Sequence, residues 1–460
     1  MQICKNCFHQ LRDGDYCGYC GYNNRDRQEE KGMALRPFTT LCSGRYIVGR
    51  VLGMGGFGIT YAAADRLSGG SRIAIKEYFP SSIAKRDAVT QKLLPGSRAK
   101  EYEAGLKSFE KEARTLALLR GGRAQSAVQV YEFFFENGTG YMAMEYIDGP
   151  NLKEMAREYG GLIPYDVAYY ILTELIKALR IVHSEGVLHR DISPDNVIMQ
   201  PDGKLRLIDF GAARTELHSG LTGQMIMLRP GFAPPEQYSD TGDQGPWTDV
   251  YALACTFYRL VSGRALPDAR QRLQGEQVIP LYSLMPGIVP INVSAAIEKA
   301  MSLDTRVRYR SMSEFLAAIA DYNKQKSTIK VGGEEPGDED DDVGIVGMLI
   351  ENIRSVFSSP VVTVAETGEA KRLHKGRALL IGRSENCDLV TMKDRHIGRI
   401  HCRVFLDEDE QLVKVECTSV NGIQLANGRT IQKGETAALR DKVNILRLAN
   451  TESRIKVVYP

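Results

Sequence analysis

The residues best suited to chemistry lie in one short string. From His189 to Asn196 the chain reads H-R-D-I-S-P-D-N, and thirteen residues after Asn196 comes D-F-G, Asp209 to Gly211. A carboxylate followed by an amide and then a second carboxylate has the parts for phosphoryl transfer. Asp191 could take the proton of an attacking hydroxyl, while Asn196 and Asp209 could hold the magnesium ions that neutralise a triphosphate.

Such groups act only if other elements bring phosphates to them. The string GMGGFGIT places Gly53, Gly55 and Gly58 in G-x-G-x-x-G spacing after an apolar strand. Glycine there lets backbone amides approach phosphate oxygens, although the same spacing also suits a glycine-rich hairpin without function. A dinucleotide-binding fold would open a helix at once, whereas ITYAAA reads as another strand. Further on, Ile73-Ala74-Ile75 leads an apolar strand into Lys76. A lone strand-end lysine is a solvated charge unless a carboxylate pairs with it. Leu106, Phe109, Ala113 and Leu116 mark one face of a helix, and Glu112 lies beside that face. The expected arrangement is Lys76 on the α- and β-phosphates, paired to Glu112.

In this order the elements resemble the eukaryotic-type protein kinase family, over roughly residues 44–323. The resemblance continues through GFAPPEQY at 231–238, Asp249 in WTDVYALA and Arg308 in LDTRVRYRS; GGFGxTY, KEYFP and APPEQY are similar to bacterial members. It implies an α+β bilobal kinase fold, with a small lobe over about 44–147 and a large lobe over about 148–323. It implies ATP as substrate, Mg2+ (or Mn2+) as cofactor, and serine or threonine hydroxyls of proteins as acceptors. Met144 falls at the gatekeeper position, and the backbone from Glu145 to Ile147 at the adenine edge. Glu236 is expected to pair with Arg308, and Asp249 to brace the catalytic loop from a buried helix. The stretch between Lys76 and Glu112, EYFPSSIAKRDAVTQKLLPGSRAKEYEAGL, reads as an insertion decorating the small lobe.

Two positions depart from the family. Ser193 stands where serine/threonine kinases usually carry a lysine that reaches the γ-phosphate, and Arg229 stands where they carry an activation-segment threonine. The expectation is a charge moved across the contact, with Arg229 replacing the lysine and Ser193 accommodating it; the alternative is a merely exposed Arg229. Arg190 retains the arginine that answers an activation-segment phosphate in this family, and Thr215, Ser219 and Thr222 are candidate phosphosites. The competing function is a pseudokinase scaffold.

Two modules flank this region. Cys4-x-x-Cys7, nine residues and Cys17-x-x-Cys20 read as a zinc ribbon over residues 1–22 with a structural Zn2+ on four thiolates; His9 as a ligand and redox use of the thiols are the minor readings. Residues 23–43 read as a linker. EEPGDEDDD, acidic at seven of nine positions, reads as part of a disordered tether over 324–342. Residues 343–358 read as a short amphipathic helix, either packing on a neighbouring domain or docking on a partner or membrane surface.

From about 360 to 460 short strands and two Asn-Gly turns suggest an all-β sandwich. Gly382-Arg383, Arg399-Ile400-His401 and Ser419-x-Asn421-Gly422 resemble a forkhead-associated domain. That resemblance implies a phosphothreonine on Arg383 and a ligand main chain on Asn421, with Arg399 and Ser419 in the same loops. Gly398 replaces the family's phosphate-binding serine, and His401 is expected to be scaffold. Partners would be phosphothreonine proteins or the chain's own phosphorylated segments, Thr328 among them.

The 59 basic and 57 acidic residues of the 460 nearly cancel, which gives no field pointing to nucleic acid. No apolar run is long enough to span a membrane, and the start lacks a hydrophobic signal core, so a cytoplasmic protein is expected. Nine cysteines, four of them clustered at one end, fit a metal site plus buried thiols better than a disulfide framework.

Overall fold

The computed structural model describes residues 2–11, 17, 19–20, 22–25, 33–119, 124–210, 228–239, 242–327, 359–373, 378–392, 394–407, 412–441 and 443–459. They fall into two compact units, Asp26–Leu349 and Met1–Arg25 with Ile350–Pro460.

The first unit begins with strands β1 (Thr40–Leu41), β2 (Tyr46–Met54), β3 (Gly58–Asp65), β4 (Ser71–Tyr78), β5 (Lys85–Arg86) and β6 (Leu93–Leu94). Helix α1 (Ala99–Leu118) follows, then β7 (Val130–Glu136) and β8 (Thr139–Glu145). Six strands form an antiparallel sheet in the order β1-β2-β3-β4-β8-β7. Strand alternation decides the outcome on β4. Lys76 and Tyr78 point to one face, where Tyr78 meets Tyr102 and Phe109 of α1 and Lys76 meets Glu112. Ile75 and Glu77 point to the other, into a cluster with Leu35, Leu41, Tyr61, Phe79, Leu93 and Tyr141.

That second face corrects the sequence reading of a linker over 23–43 for its residues 33–43. Leu35 is buried, and its N–H donates to the Tyr61 hydroxyl at 3.0 Å. The buried Glu77 carboxylate accepts from Arg86 at 2.5 Å, from Tyr61 at 2.7 Å and from Tyr141 at 2.8 Å. Arg86, in the inserted hairpin β5–β6, also donates to the Met33 carbonyl at 2.7 Å. A carboxylate taken out of water must be paired to be tolerated. Glu77 therefore ties the insertion and the preceding segment to the sheet, directly behind Lys76.

The larger lobe is helical: α2 (Leu152–Glu158), α3 (Tyr165–Ser184), α4 (Pro246–Ser262), then helices Ile291–Ala300 and Met312–Ser327. A short antiparallel pair, β9 (Val197–Met199) and β10 (Leu205–Leu207), flanks the catalytic string. Helix α4 is buried nearly all round, as a helix at the centre of a lobe must be. Glycine at its C-terminus, Gly263 at φ 67°, supplies the left-handed residue that ends it.

In the second unit, a six-stranded and a five-stranded sheet carry residues Val361–Val458. Strands such as LVKVEC (412–417) and VNILRL (443–448) alternate buried and less buried residues, the pattern of a sheet with one face on a core. The core holds Val362, Ile381, Val404, Val415, Leu446 and Val457. Residues 324–327 of the expected tether belong to the helix Met312–Ser327, which corrects its start; the rest of the acidic tether and the proposed 343–358 helix lie outside the described residues, as do Thr215, Ser219, Thr222 and Thr328.

Candidate active site

The catalytic string is held from below by a buried charge. Asp249, on α4, accepts the N–H of His189 at 2.8 Å and of Arg190 at 2.7 Å, and contacts His183 Nε2 at 2.8 Å. Burial alone would raise its carboxyl pKa; the His183 hydrogen bond and the flanking histidines and amides outweigh that and hold it below the usual range. Arg190 and Asp209 both adopt left-handed backbone, at φ 64° and 57°. For non-glycine residues such geometry costs on the order of 1–3 kcal/mol each, and Asp249 supplies the compensating bonds at Arg190. The imidazole of His189, buried and kept neutral by desolvation, packs 4.4 Å from the Phe210 ring. The loop is thereby fixed before any ligand arrives.

On this platform Asn196 Nδ2 donates to the Asp191 carbonyl at 2.7 Å and to its carboxylate at 2.6 Å. Lys76 Nζ lies 3.1 Å from Glu112 and 3.0 Å from Asp209. Desolvation pulls the Lys76 ammonium down, yet the two carboxylates outweigh it, so its pKa is raised and the group is charged. Lys76, Glu112, Asn196 and Asp209 line a cavity of about 460 Å3 with Gly53, Gly55, Gly58, Met144, Glu145 and Ile147, and Asp191 sits behind Asn196 at its edge. Glu145 uses its backbone N–H on the Gln129 carbonyl at 2.8 Å and its carboxylate on Arg206, which sets the strand end that reaches the cavity.

The three glycines play unequal parts. A Cβ at Gly53 would meet nothing within 4 Å, whereas one at Gly58 would lie 2.7 Å from the Glu77 carbonyl. Gly58 is thus required by the close approach of β4, and the open positions are Gly53 and Gly55.

Arg229 is not merely exposed. Its guanidinium reaches Asp195 Oδ2 at 2.8 Å, Asn196 Oδ1 at 3.1 Å and Asp191 Oδ1 at 3.3 Å. Ser193 does not meet it: its hydroxyl is fully buried, with no hydrogen-bond partner among the described residues. Asp195, which also pairs with Lys153 at 3.0 Å, is the residue that sequence reasoning missed. Its only signal was an acid beside Asn196 in a loop already rich in acids. Further away, Arg308 holds Glu236 in a bidentate pair at 2.7 and 2.9 Å, joined by Thr248 at 3.0 Å. Both charged side chains are buried.

In the second unit the four N-terminal cysteines converge. Their sulfurs all lie within 4.8 Å of one another, with Cys4–Cys20 at 3.7 Å and Cys7–Cys17 at 3.5 Å. A tetrahedral zinc with Zn–S bonds of about 2.3 Å sets its sulfurs about 3.8 Å apart, so the donor set fits. Asn6 donates to Cys4 and Cys20 sulfurs at 3.4 Å. His9 stacks on Tyr19 instead of joining the cluster.

At the rim of the sandwich, Arg383, Arg399 and Asn421 are exposed and Ser419 is buried. Asn421 Nδ2 donates to the His396 carbonyl at 2.6 Å. His401 is buried between Gly398 N–H at 3.0 Å and the Gly422 carbonyl at 2.9 Å; burial lowers its pKa, and it joins the two loops as scaffold. A Cβ at Gly398 would lie 2.8 Å from the Ile400 carbonyl, so a serine would fit there only if this loop shifted.

The chain is 31% identical over 319 residues to serine/threonine-protein kinase F of Synechocystis, covering 64% of this chain and 60% of that protein. It is 30% identical over 298 residues to serine/threonine-protein kinase PknA of Mycobacterium tuberculosis, covering 63% of each. The match to kinase PknA of Nostoc, 30% identical over 288 residues, covers 61% of this chain and 47% of that one. The chain thus spans less than two thirds of the length of these curated relatives. Among solved structures, "PpkA-294 apo form" is 33% identical at a TM-score of 0.56, covering 62% of this chain and 99% of that one. An FHA domain matches residues 379–446. The protein kinase domain matches residues 46–326, and with that extent of agreement the chain belongs to the protein kinase family.

Proposed function

We propose that this chain is a protein kinase that transfers the γ-phosphate of ATP to serine or threonine hydroxyls of proteins. One observation carries the reading: Asp191, Asn196, Asp209 and the Lys76–Glu112 pair, drawn from distant parts of the sequence, line or border one cavity. Asp191 orients the acceptor hydroxyl and takes its proton as the new O–P bond forms; the bond from the γ-phosphorus to the bridging oxygen breaks, and ADP leaves. Lys76 and the amides near Gly53 and Gly55 hold the phosphates. The cleft positions charge more than it does covalent work. Asn196 and Asp209 offer the hard oxygen ligands that magnesium or manganese takes, and the bound ion would neutralise charge on the phosphates. Arg229, placed among Asp191, Asp195 and Asn196, brings the positive charge that Ser193 lacks to the edge of the reacting group.

The forkhead-associated domain is read as a receptor for phosphothreonine, on partner proteins or on the chain's own phosphorylated segments, with Thr328 a candidate; Thr215, Ser219 and Thr222 are read as activation-segment phosphosites. Arg383 and Arg399 supply charge, Asn421 a main-chain contact and Ser419 support for the loop, with backbone serving at Gly398. The ribbon is read as a structural Zn2+ site on Cys4, Cys7, Cys17 and Cys20. Use of ATP and of four thiolates fits the cytoplasm, and among the described residues no helix is long and apolar enough to cross a membrane.

The deciding experiment is a γ-phosphate transfer assay on a serine/threonine protein substrate, comparing the full chain with Asp191→Asn. Transfer lost in the variant supports the reading. Equal transfer in both proteins, or none in the zinc- and magnesium-loaded wild type, removes it in favour of a pseudokinase scaffold.

A further inference from the structure

We propose that Arg229 competes with a divalent cation for Asn196 Oδ1, so that metal binding at that position is coupled to release of Asp191 from Arg229. The inference rests on the phosphoryl-transfer reading and adds a regulatory contact to the same site.

The argument starts with the amide of Asn196. Its nitrogen is committed to Asp191, donating to the main-chain carbonyl at 2.7 Å and to Oδ2 at 2.6 Å. That orientation leaves Oδ1 as the one side-chain atom able to ligate a cation. Arg229 Nη2 donates to it at 3.1 Å. A divalent ion bound to the same oxygen is set beside a fixed guanidinium, and the two like charges repel. The same guanidinium places Nε 3.3 Å from Asp191 Oδ1, the carboxylate that must accept a proton. One side chain therefore holds both the metal-ligating amide oxygen and the Asp191 carboxylate, and its departure frees both.

Arg229 also has somewhere to go. Its Nη1 is held by Asp195 Oδ2 at 2.8 Å, and Asp195 Oδ1 is independently held by Lys153 at 3.0 Å. Asp195 thus remains partnered if Arg229 turns away, and it can serve as the pivot about which the fork swings towards incoming phosphate oxygens. The backbone at Arg229 is anchored meanwhile, its carbonyl accepting from Phe232 at 3.1 Å and Ala233 at 3.2 Å. Side-chain exposure of 30% leaves room for the rotation. Separate nitrogens of one planar guanidinium make the three contacts, Nε on Asp191, Nη1 on Asp195 and Nη2 on Asn196, a fixed fork that a compact ammonium does not reproduce.

The test uses the full chain with Mn2+ and a non-hydrolysable ATP analogue carrying an imido bridge between the β and γ phosphorus atoms. Free Mn2+ is counted by electron paramagnetic resonance during titration of wild type, Arg229→Gln, Arg229→Lys and the exposed control Arg306→Ala. Expected is about tenfold tighter binding of the weaker Mn2+ in Arg229→Gln, an intermediate value in Arg229→Lys and none of this change in Arg306→Ala. Phosphate transfer at saturating metal should fall in Arg229→Gln despite its tighter metal. Superimposable titrations of wild type and both Arg229 variants, or weaker Mn2+ binding in Arg229→Gln, overturn the inference. Either result leaves the phosphoryl-transfer reading to the Asp191→Asn assay, so the two can fail separately.

Discussion

The kinase cleft and the rim of the forkhead-associated domain are both read as phosphate-handling regions, and they are built by opposite means. In the cleft nearly every functional group is fixed by another charge: Lys76 by Glu112 and Asp209, Arg229 by three acceptors, the catalytic loop by buried Asp249. At the rim, Arg383 and Arg399 are exposed, and one buried neutral imidazole, His401, joins the Arg399 loop to the Asn421 loop. The difference follows from the tasks. A transfer site must hold its geometry while charge moves through it, which favours preorganised charges out of water. A binding loop has only to present donors to a dianion, and exposed arginines do that with little desolvation cost.

The comparison breaks most sharply where the buried charge is removed. Arg308→Ala leaves Glu236 buried without its bidentate partner, and should cost about 3–5 kcal/mol. The melting transition of the kinase unit should fall, while phosphopeptide binding at the rim persists. A variant that melts like wild type would mean that the ionic frame contributes little.

Next in size is Lys76→Ala. Removing one preorganised cation from between Glu112 and Asp209 should lower the rate of phosphate transfer by about 10²–10³, and the melting transition of the kinase unit should fall as well, because buried Glu112 loses its cation. At the rim, Arg383→Ala should weaken binding of a phosphothreonine peptide by about 1.5–3 kcal/mol, read by calorimetry, with kinase turnover on a generic substrate unchanged. Unchanged peptide affinity would assign the phosphate to other groups.

The smallest effect is one of pH. Burial depresses the pKa of His401, so its folded value lies below the unfolded value of about 6.5. A depressed pKa means that the unfolded chain takes up the proton first. The stability contributed by neutral His401 is therefore present above about pH 6.5 and is lost as pH falls towards the folded value. Hydrogen exchange should show the Gly398 amide losing protection over that window, and His401→Gln should flatten the dependence.

Much of the active site was legible because its parts are local strings in a fixed order. Asp191, Asn196, Asp209, Lys76 and Glu112 could be named from motifs in a fixed order, and the resemblance to the kinase family implied the distant brace of Asp249 and the Glu236–Arg308 pair. What was not legible concerned partners chosen by packing. Nothing in the spacing of Met33, Leu35, Glu77 and Arg86 announces that they meet, because a linker and an insertion look polar and irregular until a sheet face covers them. Gly58 read as a phosphate glycine, and the approach of the Glu77 backbone shows a packing need instead.

The sequence by itself determined the catalytic inventory, the cysteine quartet and the family, since each depends on residue type at short spacing. Only the tertiary structure decided which acceptors Arg229 takes. Residue 229 lies more than thirty residues from the loop it touches, and a guanidinium reaches whichever carboxylates the fold sets within about 3 Å. Ser193, its expected partner, ended up buried beneath the loop, while Asp195 and Asn196 faced the arginine.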